Sequence, residues 1–455
     1  MDILKTIATP QSLEHFHLLV FITALSSVVF VPYLAFALGS SALSVWLDHS
    51  GRRTKHPALV EAAKTMANTA FATKSVVTFL GLLPGAVLVF AYAQMMQATS
   101  ALSVGLAGFG FLFLLAALVL LYAYKYTFRV ERVLESFETA LKKQRTTPAE
   151  EMQEYSRSNE QAHRVSGRWG LITLLISSYL YTSAVAVTVS PENWNSVGSL
   201  FDVLLSADAW VRFLLLLAFS AGMTGTGTLF FAYAWKLRPH AMDETVLPLL
   251  RRLGMRLSII SLLALPLLMI LILTALPGVA LSGTIYSLAA VAIALFFLAA
   301  HFIYAFHTEA STRALTAAFV LFLGGGAVLT VNDHVALALA TRGHAAILAS
   351  ASDKLVEEMK SKLGVVAAAP TGEDIYNARC SACHLFDQKK VGPPYLETIP
   401  QYRGKKANLI AFILNPMKKN PAYPPMPNQG LKPVEADSIA TYLLHKIEAA
   451  DLLKK

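Results

Sequence analysis

Long apolar runs dominate the pattern, and they are separated by short polar or basic interruptions. Eight of them are long enough to cross about 30 Å of hydrocarbon: residues 14–38, 72–98, 103–125, 169–190, 211–235, 257–277, 282–307 and 312–331. The last contains three consecutive glycines, which membrane helices tolerate, so it is read as a span. Between the third and fourth runs, residues 126–168 are rich in Glu, Arg and Lys and predict a cytoplasmic helical excursion, with a second helix capped near Thr147 and Pro148. Residues 335–363 predict an amphipathic helix, the stretch 365–370 a short linker, and about 371–450 a compact domain. The organisation expected is a transmembrane region 1–331, a connector 332–370 and a terminal domain 371–455, all of it α-helical.

Composition agrees with that pattern. The 455 residues are 55% apolar and 15% charged, against about 25% charged in ordinary soluble domains. A wholly soluble enzyme is excluded. The net charge of +9 suggests nucleic acid only until its location is considered. Twenty lysines and arginines fall in the loops and margins after spans one, three, five and seven, and none in the loops after spans two, four and six. That asymmetry places the odd loops in the cytoplasm, with both termini and the terminal domain on the periplasmic face of an inner membrane. The charge is a topology signal, so no nucleic-acid partner is expected. Residues 1–13 lack a basic n-region, and the first span is expected to start translocation itself.

The chain has two cysteines, both in Cys380-Ser-Ala-Cys383-His384. This spacing lets two thiols add to one haem while the adjacent histidine supplies an iron ligand. A redox dithiol or half a zinc site are the other uses of such a pair, but no second pair exists in the sequence. A sixth ligand is offered by Met426, which stands among the prolines of Asn420–Gly430; prolines reduce the entropy lost in ordering such a loop. Met417 competes for the role. One covalent haem c is therefore the expected cofactor, with His384 and Met426 on the metal.

Residues 371–450 resemble the small class I cytochromes c. By that resemblance Gly372 and Tyr376 belong to an N-terminal helix, Val391-Gly392-Pro393-Pro394 to the turn that receives the histidine N–H, Leu409–Pro416 to the helix before the ligand loop, and Tyr442 to a C-terminal helix crossing the first. From residue 371 onward the domain carries 12 basic and 8 acidic residues. Lysine pairs 389/390, 405/406 and 418/419 could steer an acidic redox partner, face solvent, or lie against anionic lipid.

In the membrane region, Phe16–Phe21, Ser199–Phe213 and Phe219-Ser-Ala-Gly-Met-Thr-Gly225 resemble the large subunit of cytochrome bd-type quinol oxidases. The resemblance implies a haem b ligand at His17. His15 and His301 are weaker candidates, and His301 lies about 25 Å from the outer end of its span at 1.5 Å per residue. Two departures stand against oxygen reduction: Leu214–Ala218 holds no second histidine, and no span as bounded above contains an acidic residue in its interior. The leading reading is a membrane-anchored respiratory electron-transfer subunit, non-catalytic by itself. Other respiratory subunits are its expected partners, with a periplasmic redox protein or quinol exchanging electrons. The alternatives are a bd-like oxidase subunit in which haem c feeds electrons towards oxygen, and a structural or transport subunit with a haem sensor.

Overall fold

The computed structural model describes residues 8–143, 150–235, 244–363 and 371–452. The expected cap at Thr147 and Pro148 and the expected linker 365–370 lie outside them. Among the described residues the chain is all-α, without a β-strand, and it divides into two compact units, Met1–Lys354 and Leu355–Lys455.

The first unit holds eight helices long and apolar enough to cross a membrane. They are α1 (Leu13–Thr54), α3 (Lys74–Met95), α4 (Ser103–Lys143), α5 (Glu150–Thr188), α7 (Ala207–Ala234), α8 (Leu247–Ala275), α9 (Gly283–Glu309) and α10 (Thr312–Ala340). Shorter helices, α2 (Pro57–Ala70) and α6 (Leu200–Leu205), lie between them, and α11 (Arg342–Lys362) follows. Every expected span has its helix, so the chain is a multi-pass membrane protein.

Two boundaries differ from the sequence reading. The polar segment 126–168 is helical in its described parts, as expected, with Glu150 and Glu151 in the first turn of α5, but it is continuous with the neighbouring spans: α4 runs on to Lys143 and α5 from Glu150 into the fourth span. Their close approach has a cause in small residues: a Cβ on Gly167 would fall 2.7 Å from Tyr124, and one on Gly170 2.8 Å from Leu121. The eighth span does not stop at 331 either. Helix α10 continues to Ala340, because Asp333 is ion-paired with Arg212 of α7 at 3.1 Å and His334 is buried and hydrogen-bonded. Span-length helices therefore do contain acidic residues, Asp333 in α10 and the buried Asp48 in α1.

The glycine run of α10 is a packing device. Cβ atoms on Gly325 and Gly326 would lie 2.7 Å from the ring of Phe296 and 2.3 Å from that of Phe219. Phe219 itself stacks on Phe322, centroids 5.4 Å apart and planes at 8°. In the same way Gly222 accommodates Phe322 and Ser261, a Cβ on Gly225 would fall 2.6 Å from the Ser258 backbone nitrogen, and the Ser220 hydroxyl donates to the Ala35 carbonyl at 2.7 Å. The small residues of Phe219–Gly225 thus form the seam along which α7 packs, the general role of such residues between membrane helices.

The second unit contains α12 (Gly372–Ile375), which runs into a π-helical turn Tyr376–Cys380, then α13 (Tyr395–Thr398), α14 (Lys406–Leu414) and α15 (Pro433–Leu452). Thr371 and Asp374 form a reciprocal capping box that starts α12. Helices α12 and α15 cross at Gly372, where a Cβ would come within 2.3 Å of the Ser438 carbonyl oxygen. Ile375, Leu409, Ile413, Ile439 and Leu443 close its apolar core.

Candidate functional site

The Cys-Ser-Ala-Cys-His motif leaves the π-helical turn with its backbone folded back on itself. The amides of Val391 and Gly392 both donate to the Cys383 carbonyl, at 3.2 and 2.8 Å. This brings Pro393 beneath the histidine, and His384 Nδ1 lies 3.0 Å from the Pro393 carbonyl oxygen. A carbonyl can only accept, so Nδ1 carries the proton and Nε2 is left as the free lone pair. The imidazole stacks on Tyr395, with centroids 4.8 Å apart and planes at 7°.

An open cleft is lined by Cys380, Cys383, His384, Gly392 and Tyr395 together with Met426 and its flanking prolines. Met417 is not part of this wall and is 67% exposed. Arg379, immediately before the motif, donates to the Gln429 carbonyl at 2.8 Å and ties the histidine side to the methionine loop. That loop is further held by Asn428, whose amide reaches the Leu414 carbonyl at 3.1 Å, and it closes at Gly430 with φ of +64°.

Burial pushes the Cys380 thiol above its ordinary range, and the neighbouring Cys383 acts in the same sense, opposed by a hydrogen bond to Tyr395. A reactive redox dithiol needs the opposite shift. Among the described residues no group of three or more His, Cys, Asp or Glu could hold a metal ion. The expected metal binding therefore finds no support in a cluster of such side chains among the described residues. The residues do fit a planar group entering the cleft, whose lining holds two thiols, an oriented imidazole and a thioether.

Sequence comparison follows this geometry. The chain is similar to cytochrome c-551 of Pseudomonas denitrificans, 34% identical over 79 residues, which are 16% of this chain and 95% of that protein. The C-terminal segment of the chain belongs to the cytochrome c family. The cytochrome segment is also 35% identical over 81 residues to cytochrome c-551 of Azotobacter vinelandii, covering 17% of this chain and 99% of that one. With cytochrome c-552 of Hydrogenobacter thermophilus it shares 33% over 69 residues, 14% of this chain and 69% of that protein. Residues 367–443 match the family described as cytochrome c oxidase, cbb3-type, subunit III.

This overturns the expected likeness to bd-type quinol oxidases. The respiratory family that the chain matches is of the cbb3 type, and the match lies on the cytochrome segment. The residues that suggested the bd type, Phe219–Gly225, owe their pattern to helix packing. At the other suggestive stretch, His15 and His17 both lie on the exposed side of α1, with Phe16 buried between them. His301 is also exposed and has its ring against Phe302 at 5.6 Å.

The lysine pairs of the cytochrome segment are partly engaged locally. Lys406 pairs with Asp437 at 2.7 Å, Lys419 donates to the Tyr402 hydroxyl at 2.6 Å, and Lys390 donates to the Ser381 carbonyl at 2.9 Å. Lys389 sits over the Tyr423 ring at 4.9 Å. Sequence reasoning missed Arg379 and Tyr395. Their only signal was position, one directly before the motif and the other directly after the double proline.

Proposed function

We propose that this protein is a membrane-anchored respiratory electron-transfer subunit whose periplasmic cytochrome domain carries one covalent haem c. The observation that carries the reading is the shared cleft: the two motif cysteines, the free Nε2 of His384 and the thioether of Met426 all border it. Cys380 and Cys383 would hold the haem covalently, and His384 and Met426 would bind its iron. The haem supplies one-electron chemistry when bound. The chain's own part is to orient. Pro393 fixes the imidazole tautomer, Gly392 makes room for the ring, and Arg379 holds the methionine loop to the motif.

The basic residues in the odd loops support a periplasmic cytochrome domain. The match to an oxidase subunit supports membership of a larger respiratory membrane complex. The lysines of the cytochrome domain supply the positive field that would attract an acidic redox partner. His17 would be the ligand of a haem b only if a partner subunit covered its exposed face of α1.

Haem-stained denaturing gels test the covalent link. The wild-type chain should stain, and Cys380→Ser combined with Cys383→Ser should not, with the protein still inserted in the membrane. Full staining of the double variant would refute the assignment.

A further inference from the structure

Within the membrane unit, α1, α3, α5, α7 and α10 line a second, partly open cavity. Its polar end is formed by Arg212, Asp333 and His334, with Thr182 and Thr330 beside them, and its walls include Tyr92, Tyr181, Phe219 and Leu329. Arg212 is only 4% exposed, and its Nη2 is buried without a hydrogen-bond partner. An unused guanidinium N–H in an apolar setting is costly, which points to a ligand oxygen as its missing acceptor.

The charge balance narrows the ligand. Arg212 already faces two carboxylates, Asp208 at 3.3 Å and Asp333 at 3.1 Å. One cation against two anions repels a phosphate or carboxylate and accepts a neutral molecule. Hydrogen bonding narrows it further. The Thr182 hydroxyl donates to Ser178 and Tyr179 carbonyls and the Thr330 hydroxyl to the Gly326 carbonyl, so both present only lone pairs to the cavity. His334 gives its Nδ1 proton to the Thr330 carbonyl at 2.8 Å, and its Nε2 lies 3.2 Å from the Ser27 hydroxyl. The site thus offers the Arg212 Nη2 donor, several acceptors and the phenol rings of Tyr92 and Tyr181, among helices that sit in lipid. A planar ring bearing both carbonyl and hydroxyl oxygens, itself soluble in lipid, meets all of these conditions.

Resting on the electron-transfer reading above, we propose that this cavity binds the headgroup of a membrane quinone or quinol, with Arg212 Nη2 as donor to one of its oxygens. The full chain in lipid nanodiscs would be photolabelled with an azido-substituted short-chain ubiquinone, with decylubiquinone as competitor, and labelled peptides located by mass spectrometry. Label should fall on 181–185, 212–219 and 326–337 and be competed away. Leu329→Trp, which fills the cavity without touching its polar end, and His334→Gln should each lower that labelling about tenfold, as expected for losing one buried contact or hydrogen bond. Elution profile and haem staining show whether each variant is folded, and Leu329→Trp decides alone if His334→Gln is not. Labelling confined to other segments, or undiminished in the folded variants, overturns the proposal. So does a non-covalent haem b that is lost on His334→Gln. Absence of haem staining in the wild-type chain would instead refute the electron-transfer reading and leave the labelling result standing by itself.

Discussion

Gly392 lies flat against the imidazole of His384, so closely that a Cβ there would fall 2.2 Å from Cε1. The ring is held in that place by the hydrogen bond from its Nδ1 to the Pro393 carbonyl. A methyl group at 392 must therefore push the ring off its hydrogen bond or open the turn. Overpacking of this kind costs about 1–3 kcal/mol. Gly392→Ala should lower the melting temperature of the cytochrome domain and reduce haem incorporation, read by haem staining per unit protein. Wild-type staining and stability would show that the turn relaxes freely.

The two methionines are separated by position. Met426 borders the same cleft as His384, while Met417 is largely exposed and lies outside its lining. Met426→Ala should keep the covalent haem, lower its reduction potential and abolish the weak sulfur-to-iron absorption band. Met417→Ala should leave all three unchanged. Potentiometric titration with optical detection checks both variants, and the reverse pattern would move the ligand to Met417.

Within the membrane unit, His163 is 2% exposed and joins three helices. Its Nε2 lies 2.9 Å from Asp48 and its Nδ1 2.7 Å from the Thr127 hydroxyl. Arg52 completes the group, with Nε on Asp48 at 2.8 Å and a bidentate pair to Glu131 at 2.7 and 2.8 Å. Removing one member leaves buried polar atoms unpaired, so His163→Ala should destabilise the membrane unit by about 1–3 kcal/mol. Thermal unfolding followed by size exclusion in detergent reads the effect, and an unshifted transition would mean that water replaces the ring.

The charge rule makes a topological prediction. Reporter fusions after His56, Asn195, Glu309 and Lys362 should read inside, outside, inside and outside. An inside signal at Lys362, with the other three as expected, would remove α10 as a crossing helix and place the cytochrome segment where haem c is not assembled.

Much of this architecture was legible in the sequence for simple physical reasons. A run of some twenty apolar residues has few uses besides a membrane span, and all eight runs became helices. The haem motif was legible because thiol spacing and an adjacent histidine are local. Pairings distant in sequence were not. Asn332-Asp333-His334 reads as the end of a span until Arg212, 121 residues away, is placed against Asp333. Arg379 and Gln429 are 50 residues apart, and nothing in either neighbourhood announces their contact. The small residues of Phe219–Gly225 misled for the opposite reason. They are explained by neighbours that the linear sequence does not show, so a packing seam passed for a family signature.

The central claim is that this chain carries one covalent c-type haem bound through Cys380 and Cys383. A pyridine haemochrome spectrum of the purified full-length protein, quantified per chain and repeated after acid–acetone extraction, tests it most directly. The expected result is a c-type spectrum equivalent to one haem per chain that stays with the protein on extraction. A chain without c-type haem, or one whose entire haem is extracted by acid–acetone, would contradict the account.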